Sequence, residues 1–505
     1  MRGIPAAIMA AVLFGTQPDA HAQKSDDALR IAWRDAVTTL DPFDNQQRSG
    51  LILAHHLWDG LVHRDPETFA LRPLLATSWR QVDETTIEFE LRRGVTFHDG
   101  TPFSADDVVA TVAAILTGPP VAVPSNYAWL DGAEKIDTHR VRLKLKRVFP
   151  AALEYVAMVL PILPQGARAR AGDQALAVAP VGTGPYRLAG ADAALRRIVL
   201  ERFDGYYPDS PKTRPAIGKL QIDQVANAAE ELEAITSGQA DWIWNFPADQ
   251  IERLARTPGL QATRAESMRI GYLMLDAAGR TGIDNPLTQQ KVRQAIFHAI
   301  DRQGFVRGVV QGGARVPEAP CFPTQFGCES AAAVRYEFNP ARARALLAEA
   351  GYPDGFDTEL VTYALPQWAA SVQASLKAVG ISTRIAQLPV AAAVRRTQDG
   401  DVALGQFAWG SYSINDVSAV LPFLFTGGGN DYARDPALAA LIAQGGASTR
   451  PDERRKFYAQ AIRLISEQAY VLPLNTYVTT YAMARGLVFR GYPDELPRFY
   501  LASWR

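Results

Sequence analysis

The sequence predicts an α/β fold spread over more than one domain. Three observations carry this. Strand-period and helix-period segments alternate from end to end, no short-period repeat recurs, and 505 residues exceed a single module at about 100–200 residues per domain. Thr85 to Leu91 alternates polar residues with Ile87, Phe89 and Leu91. Val141, Leu143 and Leu145 alternate with Arg140, Arg142, Lys144 and Lys146, so both segments read as strands with one wet face. Between them, Ser104 as N-cap, Asp107 three residues on and Phe103 placed to staple onto Val108 announce a helix whose inward stripe is Val108, Val112, Ile115 and Leu116. Leu287 and Val292 repeat the staple at a second helix from Thr288, with Val292, Ala295, Ile296, Ala299 and Ile300 on one face. Asn339-Pro340, cap then N1 proline, starts a third that Gly351 ends. Residues 452–467 give a fourth, with Phe457, Ala461, Leu464 and Ile465 on one side. Tyr470 to Tyr481 is rich in β-branched and aromatic residues and reads as a strand. Only about two dozen residues follow it, too few for a core of their own, so the chain is expected to leave one lobe, build another and return.

Composition narrows the function. Apolar residues at 48% and charged residues at 21% describe an ordinary folded chain. The formal charge of −1, from 52 basic and 53 acidic residues without a long basic block, leaves counterion release little to work with, so no nucleic-acid partner is expected. Arg2, an apolar stretch from Ile4 to Phe14 and the small-x-small Ala20-His21-Ala22 form a signal peptide over residues 1–22, with cleavage expected before Gln23. That apolar stretch, about eleven residues, is too short for a hydrocarbon layer that needs about twenty, so a periplasmic protein is expected. In that oxidising compartment Cys321 and Cys328 read as one local disulfide stiffening a Pro- and Gly-containing loop; a redox pair would usually show Cys-x-x-Cys at a helix start.

Catalytic patterns are lacking. His55 and His63 point about 80° apart on a straight helix, and there is no HExxH, no paired Cys-x-x-Cys, no Gly-x-Ser-x-Gly elbow and no Walker loop, so neither a metal nor a cofactor is expected. His98, in Phe97-His98-Asp99-Gly100, reads as a turn residue rather than a base. Gly182-Thr183-Gly184-Pro185 approaches a phosphate cradle, but Pro185 lacks an N–H and no helix follows, so a tight turn into a strand is expected. The chain is read as a binding protein and not an enzyme.

Leu57-Trp58-Asp59-Gly60-Leu61-Val62, Leu74-Leu75-Ala76-Thr77-Ser78-Trp79 and the run from Leu91 to Val108 resemble the peptide/nickel class of extracellular solute-binding proteins that serve ABC importers, family 5. The resemblance continues through Val181 to Tyr186, Phe203-Asp204-Gly205-Tyr206-Tyr207, Gly238-Gln239-Ala240-Asp241, Val292 to Ile296, Ala299-Ile300-Asp301-Arg302 and Ala341 to Pro353, nearly the whole mature chain. It implies a two-lobed periplasmic-binding-protein clamp with an extra subdomain inserted in the N-terminal lobe. Lobe I would comprise 23–50, 180–268 and 478–505, the inserted subdomain 51–179, and lobe II 269–477. Crossing strands around Arg269–Asp276 and Asn475–Met483 would form the hinge, and ligand would favour closure through contacts made only when both lobes meet.

In peptide-binding relatives a Trp is followed closely by an Asp that pairs with the ligand's ammonium. Here the matching segment is Trp409-Gly410-Ser411-Tyr412-Ser413-Ile414-Asn415-Asp416-Val417, which keeps the Trp and lacks that Asp. A buried ammonium without a carboxylate would lose several kcal/mol, so a cationic ligand end needs another partner in this protein. Trp409 and Tyr412 are the leading contact candidates, against core packing, because aromatic rings offer large area at low rotamer cost. Asp416 either meets ligand or caps the helix that follows it. Tyr127 and Trp129 lie in a loop of the inserted subdomain where relatives contact ligand, with loop packing as the competing role. Trp242, Trp244 and Phe246 should share one side of a strand end; Trp244 is the one with reach to the cleft. Thr39 and Leu40, before the turn at Asp41-Pro42, border the ligand in the family pattern. The expected function is capture of a peptide-like or other small organic solute by a monomeric periplasmic protein that delivers it to ABC permease subunits and their ATPases. A secreted hydrolase would differ by product release, and a chaperone-like holder by affinity for unfolded chains.

Overall fold

The computed structural model describes residues 27–168, 175–410 and 414–505. The signal peptide and its cleavage site lie outside them, as does Tyr412. Beyond strand β1 (Ala28–Trp33) and a short hairpin of Val62–Arg64 with Leu71–Pro73, four strands form a sheet of their own: β2 (Ala76–Asp83), β3 (Thr86–Leu91), β4 (Leu130–Asp137) and β5 (Arg140–Leu145). That sheet is antiparallel in the order β2-β3-β5-β4. Next come β6 (Tyr186–Ala191), β7 (Arg197–Arg202), β8 (Lys219–Gln224), β9 (Trp242–Trp244) and β10 (Leu260–Leu275). Four more are β11 (Phe356–Thr362), β12 (Ile381–Gln387), β13 (Leu404–Trp409) and β14 (Val471–Ala484). These join β1 in one ten-stranded sheet of order β12-β11-β13-β10-β14-β9-β1-β8-β7-β6.

Two long strands in the middle organise this sheet. β10 and β14 pair antiparallel from Leu260↔Ala484 to Met274↔Val471, with register shifts at Ser267/Ile270 and Gly271/Tyr272. They are longer than the hinge segments the sequence suggests, because both continue as ordinary ladder into each half of the sheet. One apolar core joins Leu29, Trp33, Leu57, Phe89, Trp242 and Leu487 with Phe499 and Tyr500, so the chain end packs with its beginning. Two further cores, around Leu273, Ile296 and Leu360 and around Tyr272, Phe407, Tyr458 and Ile462, occupy the other half. Ile414 crosses from that half and is buried in the first core.

The start signals act as their residue types require. Asp107 accepts from the Ser104 N–H at 2.8 Å while the Ser104 hydroxyl accepts from Asp106, closing the capping box of the helix Ala105–Thr117. Asn339 caps Pro340–Glu349 by accepting from the Arg342 N–H at 2.9 Å. The helix Pro451–Glu467 is rotated by one residue from expectation: Tyr458, Ala461, Ile462 and Ile465 face inward, and Phe457 and Leu464 are only half-buried. The reason is space, since a Cβ on either Gly327 or Gly445 would lie 2.5 Å from the Tyr458 ring, which fills the slot between them. Cys321 and Cys328 form the expected disulfide.

Gly182 and Gly184 serve contact, not phosphate. A Cβ on Gly184 would sit 2.4 Å from the His56 carbonyl oxygen. His98 closes the same junction: the Gly182 N–H donates to Nδ1, so Nε2 carries the proton and donates to the Gly184 carbonyl at 3.1 Å. Burial pushes His98 down to about 4. His56 is also held neutral, since Nε2 accepts from the Phe499 N–H at 3.1 Å and Nδ1 donates to the Ile52 carbonyl at 2.7 Å; burial lowers it from 6.5 to about 3.

A pH dependence follows. The unfolded chain binds a proton at His56 below about pH 6.5 where the folded chain does not, so its contribution is complete above that pH and is lost as pH falls toward 3. The urea midpoint should therefore fall steadily from pH 7 to 4. His56→Gln should be less stable at pH 7.5 and show a shallower decline; an unchanged slope would mean other groups carry the acid sensitivity.

Candidate functional site

A cavity of about 580 Å³ opens between the two halves of the ten-stranded sheet. One wall comes from residues after β1 and from the loop at Ala122 and Val123, the other from β10, β13 and the segments beside them. The first wall is assembled around Arg168. Its guanidinium donates to Asp41 at 3.0 Å, to Asp44 at 2.5 Å and to the carbonyls of Pro119 and Pro120, while the Ala122 N–H donates to Phe43. Asp41 turns the chain by accepting from the Phe43 N–H at 2.8 Å, and Gln46 and Gln47 then lead into the helix Arg48–Leu57.

The second wall is aromatic because strand alternation sends Tyr272 and Met274 on β10, and Phe407 and Trp409 on β13, to one face. Tyr272 stands opposite Phe407, with ring centroids 6.4 Å apart. Tyr363 stacks on Phe407 at 5.4 Å and is held there by its hydroxyl, which donates to the Ala408 carbonyl at 2.7 Å and accepts from the Ala408 N–H at 2.9 Å. Phe423 lies 6.0 Å from the half-buried Trp409 and is 41% exposed, an apolar ring left facing the open cleft.

Arg48 and Arg269 line the cavity where the register of β10 shifts. Both donate to one carboxylate, Glu495, at 2.9 and 3.1 Å. Burial opposes the charge of Glu495, yet the guanidiniums, Arg269 foremost, bring it down to about 2; Glu495 in turn raises Arg269. Beside this group the backbone N–H of Asn415 donates across the halves to Glu154 at 3.2 Å, and Glu154, Arg64, Asp494 and Arg498 continue as a buried chain of ion pairs. Among the described residues no three His, Cys, Asp or Glu side chains gather as a metal site, and no helix is long and apolar enough to cross a membrane.

The residues singled out from sequence scatter. Trp409 lines the cavity. Tyr127, Trp129, Trp244 and Leu40 do not: all four are buried in the N-terminal core. The Tyr127 hydroxyl donates to Val159, and the Trp129 indole donates to Asn126 with its ring stacked on Phe149. Their polar tips are therefore committed to packing, which corrects the contact role. Trp244 packs on Trp242 at 5.8 Å, while Phe246 joins a different core because Asn245, at φ +54°, breaks the alternation. Thr39 serves the turn, its hydroxyl accepting from the Asp41 N–H. Asp416 is buried, capping Val417–Ala419 through the Ser418 N–H at 2.9 Å and pairing with Arg454 at 2.9 Å, so the capping role replaces ligand contact.

Sequence reasoning missed Tyr272, Phe407, Phe423, Asp44, Arg48 and Arg269. Phe407 was open to discovery, since Phe407-Ala408-Trp409 shows the two-residue period. Arg48 and Arg269 carry no local signal.

Comparison with known proteins decides the family. The model of bacterial extracellular solute-binding proteins, family 5, matches residues 70–431, well over half the chain. The chain belongs to that family. Heme-binding protein A of Haemophilus influenzae is 25% identical over 459 residues, covering 83% of this chain and 82% of the relative. The glutathione-binding protein GsiB of Escherichia coli is 26% identical over 499 residues, covering 94% and 91%. In structure, the ABC transporter substrate-binding protein CtaP of Listeria monocytogenes superposes with a TM-score of 0.83 at 19% identity, over 94% of this chain and 99% of that one. This family-5 protein is thus a solute-binding component of an ABC importer, working with permease and ATPase subunits.

The buried Asp416–Arg454 pair yields a test. Asp416→Ala leaves a guanidinium buried without its carboxylate and should lower unfolding free energy by about 3–5 kcal/mol in urea titrations. Unchanged stability with weakened solute binding would return Asp416 to the cleft.

Proposed function

We propose that this protein captures a small organic solute, peptide-like or otherwise, in the cavity between its halves and hands it unaltered to the permease from the periplasm. The observation that carries this reading is a cavity of about 580 Å³ between the two halves of the sheet, with an aromatic wall of Tyr272, Phe407 and Trp409. The lobes in this reading are 23–50, 180–268 and 478–505 for the first, with 51–179 inserted, and 269–477 for the second. Trp409, Phe423 and Tyr272 supply apolar contact area, with Val123 on the facing wall; Tyr412, outside the described residues, is a candidate from sequence alone. Relatives named for heme and for glutathione share the family, so the ligand's identity is carried by this chain's own side chains and not by kinship.

Native mass spectrometry of gently purified protein should reveal a retained small molecule. Trp409→Ala should weaken rebinding of that molecule at least about tenfold while the melting temperature of the empty protein stays within a few degrees. Equal loss of folding would place Trp409 in the core, and turnover of the retained molecule would make the protein an enzyme.

A further inference from the structure

The polar and the apolar groups that line the cavity differ in what already occupies them. Each charged side chain of the lining has a partner within the protein: Asp44 accepts from Arg168, and Arg48 and Arg269 both donate to Glu495. Gln46 and Thr397 are committed as well. The Gln46 amide donates to the Pro42 carbonyl and accepts from Asn126, and the Thr397 hydroxyl donates to the Ala393 carbonyl. The apolar side chains stand open instead. Phe423 is 41% exposed and Val394 40%, and both line the cavity. Val390, one turn before Val394 on the helix Val390–Asp399, is 59% exposed and shares its face, so the apolar surface runs on about 6 Å past the lining. Single exposed apolar residues carry no message, but several gathered at the mouth of a cavity form a surface that a ligand covers.

Resting on the transport reading, we infer that the solute is amphipathic, with a bulky apolar body, alkyl or aryl, that lies on Trp409, Phe423 and Val394 and reaches out over Val390. A small polar solute would leave these side chains in water. Its own polar groups would have to compete with Arg168 and Glu495, which already hold the charged groups of the lining, so the exchange brings little net gain. An apolar body displaces no such partner. It removes its own surface and that of Phe423 and Val394 from water together, and affinity then grows with the area covered.

The test uses the mature protein and a homologous series of N-acylglycines from acetyl to dodecanoyl, with benzoyl and naphthoyl members as the aryl arm, read by calorimetry. Affinity should rise about two- to fourfold per added methylene through the middle of the series. Phe423→Ser and Val394→Asn should each flatten that rise, weakening the longest ligand about tenfold and leaving the shortest within about twofold. Val390→Asn should shorten the chain length at which the rise stops. Phe338→Ser, at a residue 52% exposed but away from the cavity, should change nothing, and all four empty variants should melt within a few degrees of the parent. Affinity independent of acyl length, or a rise that survives both Phe423→Ser and Val394→Asn, overturns the inference. Native mass spectrometry separates it from the transport reading. A retained apolar solute whose affinity falls tenfold in Phe423→Ser supports both; a retained polar solute overturns the inference and leaves transport standing; a protein that retains nothing and binds no member of the series loses both.

Discussion

The antiparallel ladder of Leu260–Leu275 against Val471–Ala484 is the constraint on which the cleft depends. The ladder joins the two halves of the sheet, and its register shifts twice, between Ser267 and Ile270 and between Gly271 and Tyr272. Arg269 lies in that irregular stretch and Ile270 pairs with Trp409 beside it. Part of the aromatic wall and the guanidinium of Arg269 therefore sit at the irregular stretch of the ladder.

Around this ladder the protein separates two uses of charge. Arg454 with Asp416, Arg64 with Asp494 and Arg168 with Asp41 are buried, close and multiply hydrogen-bonded, and they hold loops where apolar packing alone would leave register undefined. Asp44, Arg48 and Arg269 keep part of their surface open to the cavity. The neighbouring disulfide loop grips the chain just beyond Trp409: the Phe326 N–H donates to Asn415, the Val417 N–H donates to Phe326, and the Gln325 amide donates to Ile414. The strand end that carries Trp409 thus runs into a segment anchored in both halves, with Ile414 in one core and Asp416 in the other half.

Much of the local structure was legible because its causes are local. A Ser-x-x-Asp box, an Asn-Pro start and an alternating strand act within four or five residues, and each appears where those residues stand. The rotation of Pro451–Glu467 was not legible, because the slot for Tyr458 is made by Gly327 and Gly445 on other segments. Aromatic residues misled for a related reason: Trp244, Trp129 and Tyr127 have the composition of a contact surface, yet each found a buried partner for its ring, and Tyr127 and Trp129 a backbone acceptor as well.

The sequence by itself determined the class of fold, the family and the capped and alternating elements, since these follow from patterns read over short windows or from ordered motifs along the chain. Which polar groups line the cavity was settled by tertiary contacts alone. Asp44 and Arg168 stand 124 residues apart and Arg269 and Glu495 stand 226 apart. The polar lining of the cavity is a property of those distant pairings, and no window of sequence contains them.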